Sequence, residues 1–114
     1  MNFEIISEKV TDWAKARQII PNSNPMAQAM KGMEEATEWF QAATAISILP
    51  KDDPKYSYWL DKFKDGVGDT LVTIVNSAAL ANVNVIECFN IAYNEIKCRK
   101  GTMNEKGIFV KNDK

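Results

Sequence analysis

Two clusters of acidic side chains carry most of the chemistry this sequence offers. The first is Glu34, Glu35 and Glu38, within five residues of one another. At about 100° per residue in a helix, Lys31, Glu34, Glu38 and Gln41 share one face, with Glu35 on its flank. Carboxylates this close repel unless water or a cation screens them. The cluster is therefore either a solvated acidic face or one half of a cation site. The second cluster is Asp61, Asp65 and Asp69 at successive four-residue steps, with Asn76 seven residues further on. Asp69 and Asn76 border or lie within the apolar, β-branched stretch from Thr70 to Val75, where an aspartate costs several kcal/mol unless it is paired or metal-bound. If the two rows face each other across a helical hairpin, their oxygens form a site for a hard cation, Mg²⁺ or alternatively Mn²⁺. A third group, Asn94, Lys97, Arg99 and Lys100, precedes Gly101. Cations there complement a helix C-terminus. Beside a metal site, the same group would take the phosphate oxygens that the metal leaves unneutralised.

Several function classes are excluded by what the chain lacks. There is no histidine, which removes Ser-His-Asp and Cys-His nucleophilic schemes and histidine-based zinc sites. Cys88 and Cys98 stand ten residues apart on one expected helix, about 15 Å along its axis, beyond the reach of a disulfide. Reduced thiols fit a cytoplasmic protein. A net charge of −1, from 14 basic and 15 acidic residues, does not suit a protein that coats a nucleic-acid polymer or an anionic membrane. No secretory leader pattern opens the chain and no apolar run of about 20 residues occurs, so neither export nor a membrane span is expected.

The elements that must position these groups are helices, in one domain covering 1–114. The first spans 1–20, with Ile6, Val10, Trp13 and Arg17 at helical spacing, and ends before Pro21. Asn24 is the expected N-cap and Pro25 the first residue of a second helix over 24–48. The turn Leu49 to Lys55 leads to a third over 56–82. Its Gly66 and Gly68 each weaken it by about 1 kcal/mol relative to Ala, which points to close approach by another helix or a ligand. Asn84 and Glu87 make a capping-box-like start for a fourth over 84–100. The tail 101–114 is non-helical, with Ile108-Phe109-Val110 as a short strand or a patch packing back. Four helices on short loops predict an all-α four-helix bundle. Trp13, Trp39 and Trp59 suit a core, although Trp39, next to Glu38, could instead stack on a base. Met26, Met30 and Met33 read as packing.

Taken together, the pieces resemble the MazG-like, all-α nucleoside-triphosphate pyrophosphohydrolases, in the form of their short phage and bacterial members. They are Glu34-Glu35-Ala36-Thr37-Glu38, Asp65-Gly66-Val67-Gly68-Asp69 and the segment Asn94 to Gly101. A P-x-x-Q-x-x-K lead-in from Pro25 through Gln28 to Lys31 precedes them, and Gly107-Ile108-Phe109-Val110-Lys111 follows. The resemblance implies Mg²⁺-dependent hydrolysis of a nucleoside or deoxynucleoside triphosphate between the α and β phosphates, giving a monophosphate and pyrophosphate. It implies Glu35, Glu38, Asp65 and Asp69 as metal ligands, with Glu34 either supporting those ligands from behind or orienting the attacking water. Lys31, Lys97, Arg99 and Lys100 would hold phosphates. Gln28, Trp39, Asn76 and Asn94 would contact the rest of the substrate. A homodimer or homotetramer is implied as well. One departure stands out: many members carry Glu three residues before the second-motif Asp, where this chain has Gly66, and Asp65 would substitute from a different angle. The alternative is a non-catalytic helical module that binds a nucleotide or a protein partner.

Overall fold

The computed structural model describes residues 1–112, and among them the chain forms five helices and one two-stranded hairpin. In chain order these are α1 (Phe3–Ala16), α2 (Ile19–Asn22), α3 (Pro25–Ile48), α4 (Pro54–Leu80), α5 (Val85–Ile96), β1 (Gly101–Met103) and β2 (Phe109–Lys111). The helical class expected from the sequence is observed. Among the described residues, no single helix is long and apolar enough to cross a membrane.

Side-chain capping explains most helix starts. The side-chain oxygens of Asn2, Asn24, Asp53 and Asn84 accept from backbone N–H groups in the first turns of α1, α3, α4 and α5, satisfying donors that have no intrahelical partner. Asp53 followed by Pro54 starts α4 two residues before the expected Tyr56. The expected first helix stops at Ala16, because Gln18 takes a left-handed conformation (φ 63°) and turns the chain into the single turn α2. The expected fourth helix ends at Ile96 instead of residue 100, so Lys97 caps it and Arg99 and Lys100 lie beyond it. Phe109 and Val110 of the apolar triplet join a strand, with Ile108 left in the turn before it: Gly101 pairs with Lys111, Thr102 with Val110 and Met103 with Phe109, antiparallel. Asn104 Oδ1 closes the turn by accepting from the N–H groups of Lys106 and Ile108, each at 2.9 Å.

The organising unit is the antiparallel pair α3–α4. Gly32 lies over Thr73 and Gly66 over Trp39, two contacts seven residues apart on both helices. Seven residues are close to two helical turns, so both contacts fall on one seam and set its register. At Gly66 a Cβ would lie 2.8 Å from Trp39 Cα, a backbone atom that cannot step aside. The expected close helix approach is therefore real at Gly66, whereas Gly68 faces open space. α1 packs along α4, and Ala14 on α1, Ala42 on α3 and Val75 on α4 are the buried apolar side chains among the described residues. α5 packs only lightly against α4 and buries no residue.

Candidate active site

The seam register decides which functional groups meet. With Trp39 over Gly66 and Gly32 over Thr73, Glu35 and Glu38 fall opposite the stretch of α4 that carries Asp65 and Asp69. Glu38, Asp65 and Asp69 then line one concavity of about 310 Å³, together with Gln41, Trp59 and Lys62. The Lys62 ammonium sits over the Tyr58 ring, 5.6 Å from its centroid. Sequence reasoning missed this cation because an isolated Lys on an amphipathic helix carries no distinguishing signal.

A second concavity, of about 510 Å³, opens between α1, α3 and α4. It is lined by Gln28, Lys31, Glu35, Asp69, Asn76 and Trp13, among others. Asp69 borders both spaces. Gln28 is held by donating its Nε2 hydrogen to Ser23 Oγ at 3.1 Å. Lys31 Nζ bridges Glu34 and Glu35 at 3.6 and 3.5 Å. These two carboxylates, Glu34 foremost, hold the Lys31 ammonium above its ordinary pKa of 10.5. Glu34 remains outside both concavities with a side chain 70% exposed, while Glu35, at 14%, is turned inward. Asn76 is 2% exposed, and its Oδ1 has no hydrogen-bond partner among the described residues. Such an orphaned acceptor costs about 1–3 kcal/mol, and functional sites are a common place for that cost to be retained.

The wall opposite the acidic seam is Trp13, with the Arg17 guanidinium 5.1 Å from its ring centroid. Trp13 read as packing from sequence because its helical spacing suits either role. Trp39, the expected base contact, borders neither concavity; its backbone lies under Gly66. Asn94, Lys97, Arg99 and Lys100 are exposed at the far end of α5 and just beyond it, outside both spaces. The structure thus brings Glu35, Glu38, Asp65, Asp69, Gln28, Lys31 and Asn76 to one seam and leaves the C-terminal cations apart.

The donors along this seam are carboxylate oxygens, the set a hard divalent cation takes. Among the described residues, no three of them converge within reach of one ion. Glu38, Asp65 and Asp69 are exposed, and exposed side chains change rotamer within nanoseconds. The chemistry of the donors suits a hard divalent cation, whereas their placement does not form a closed site. No protein-family model, no curated protein and no solved structure matches this chain.

Proposed function

We propose that this chain hydrolyses a nucleoside or deoxynucleoside triphosphate at the α–β anhydride, with Mg²⁺ or Mn²⁺ held by Glu35, Glu38, Asp65 and Asp69. The reading rests on one observation: an acidic concavity and a nucleoside-sized recess share Asp69 as their common wall. A divalent ion bound there would lower the pKa of water and neutralise phosphate charge. The protein's own residues do the positioning. Lys31 stays cationic between two carboxylates and reaches a phosphate oxygen at the mouth of the recess. Lys62 offers a second cation on the acidic side. Glu34, through its pairing with Lys31, orients that cation. Trp13 and Arg17 provide a face for the base, and the buried Asn76 amide meets the sugar or the base edge.

The finer fold, a four-helix bundle of the all-α pyrophosphohydrolase type, belongs to the same proposal. α1, α3, α4 and α5 supply its helices, in a homodimer or homotetramer that brings Asn94, Lys97, Arg99 and Lys100 to the phosphates. The competing reading, a non-catalytic nucleotide-binding module, draws support from the separation of the carboxylates. A panel of ribo- and deoxyribonucleoside triphosphates separates the two, with pyrophosphate release as readout in Mg²⁺ and in excess EDTA. Metal-dependent release of pyrophosphate and monophosphate is expected. Nucleotide binding without release would establish the module instead.

A further inference from the structure

The recess between α1, α3 and α4 is lined by a polar group that the chain itself leaves unsatisfied. Asn76 is 2% exposed, and its Oδ1 is a buried side-chain acceptor without a partner among the described residues. Buried acceptors are nearly always paired, so a ligand group that reaches this wall and donates a hydrogen bond supplies what folding left unmade. An amide alone does not select that group. It pairs with an amine beside a ring nitrogen or with a carbonyl beside a ring N–H, because its own oxygen and nitrogen can exchange places.

The surroundings break the tie. The Thr73 hydroxyl donates to the Thr70 carbonyl at 2.7 Å, so Thr73 has only lone pairs left to offer. Gln28 Nε2 donates to Ser23 Oγ at 3.1 Å, which leaves its Oε1 as the free end. Glu35 and Asp69 line the same space, and their carboxylates only accept. The Lys31 ammonium is drawn to Glu34 and Glu35 at 3.6 and 3.5 Å and is the group that meets a phosphate at the mouth. Accepting groups therefore outnumber donating ones along this wall. A nucleobase carbonyl turned toward it would meet oxygen lone pairs in a partly desolvated space, where such mismatches cost most. An exocyclic amine carries two hydrogens. One can go to Asn76 Oδ1 and the other to a neighbouring acceptor, while the ring nitrogen beside it takes a hydrogen from Asn76 Nδ2, the pairing by which an amide reads adenine.

We infer that the recess selects a nucleobase bearing an exocyclic amine, cytosine or adenine, over the same ring bearing a carbonyl. This selection defines the substrate class of the site proposed above and rests on the base lying in that recess, whether or not the chain is a hydrolase.

Two pairs of nucleotides differ at this group: CTP and UTP, ATP and ITP. Isothermal titration of their α,β-methylene analogues, which cannot release pyrophosphate, reads the preference on the full chain in Mg²⁺. Pyrophosphate release from the natural triphosphates reads it again. The amino member of at least one pair should bind at least ~10-fold more tightly, the scale of one hydrogen bond replaced by facing acceptors. Gln28→Leu removes an acceptor from a half-buried side chain and should narrow that ratio, whereas Gln28→Glu keeps the acceptor and should hold it. Equal affinities within both pairs, tighter binding of the carbonyl member, or a ratio unmoved by both Gln28→Leu and Asn76→Leu would overturn the inference. A preference in binding with no pyrophosphate released would support it and remove the hydrolase reading. Release without preference would do the reverse, and no binding by any of the four analogues would overturn both.

Discussion

At the scale of single residues, Asp69 and Asn76 are the most informative positions. Asp69 borders both concavities, whereas Glu38 and Asp65 border only the acidic one. Asp69→Asn should therefore weaken both metal and nucleotide binding and reduce pyrophosphate release by about 100-fold or more, the scale of losing a principal electrostatic group. Glu38→Gln should reduce release comparably while sparing nucleotide binding measured without metal. Isothermal titration of each ligand, beside the activity assay, separates the two effects. Asn76 is predicted to set stability against function. Replacing Asn76 with Leu removes a buried Oδ1 that has no partner among the described residues, an orphaned acceptor worth about 1–3 kcal/mol. The melting temperature should rise by a few degrees while KM for the triphosphate increases. A lower melting temperature would show that the amide is satisfied in the folded protein. Lys31 supplies a titration check. Its pKa is raised chiefly by Glu34 and then by Glu35, so it stays charged to above pH 10.5, and any pairing it contributes is lost only as pH climbs through that raised value. Glu34→Gln should move its titration, followed by NMR at the Lys31 side chain, back toward the ordinary lysine value.

At the scale of elements, the α3–α4 seam governs the site. Gly66 is required because a side chain there meets the Trp39 backbone at 2.8 Å. That also gives a physical reason for the absence of a carboxylate at this position: in this packing a glutamate side chain would have to part the two helices. Gly66→Ala should destabilise by about 1–3 kcal/mol, the usual cost of overpacking, and should lower activity by shifting Glu38 relative to Asp69. Gly68→Ala is the control, two residues along the same helix and on a face away from the seam. Nothing lies within 4 Å of the added carbon, so removing a helical glycine should stabilise by about 0.5–1 kcal/mol. Urea unfolding of both variants checks the contrast, and equal shifts would show that the close approach is not what holds Gly66.

At the scale of the whole molecule, the question is how Lys97 and its neighbours reach a phosphate. Within one chain they lie beyond α5, exposed and outside both concavities. If the partner copy supplies them, sites are built from two chains and defects should complement. Lys97→Ala and Asp69→Asn chains, each impaired alone, should regain activity on mixing, because a two-fold heterodimer contains one site with both wild-type residues. Random exchange gives about a quarter of the wild-type sites. Mixing that leaves activity at the average of the two variants would return the basic group to a role at the helix end.

The local structure was largely legible in the chain itself. Caps such as Asn24 before Pro25 and Asn84 before Val85 act over three or four residues, so the starts of α3 and α5 follow from neighbours alone. So does the acidic composition of the candidate site, because Glu34, Glu35, Glu38, Asp65 and Asp69 declare themselves by spacing. Tertiary structure decided what these groups face. The seam register depends on Gly32 meeting Thr73 and Gly66 meeting Trp39 across long sequence separations, and only that register makes Asp69 the wall between two spaces. It also put Trp13 beside the recess and turned Trp39 away from it, two tryptophans that helical periodicity cannot tell apart. The direction of α5 was hidden for a further reason. A helix with apolar residues around most of its circumference reads as a core helix, and the exposed position it takes follows from the turn at Asn82, which sends it away from α4 at 106°.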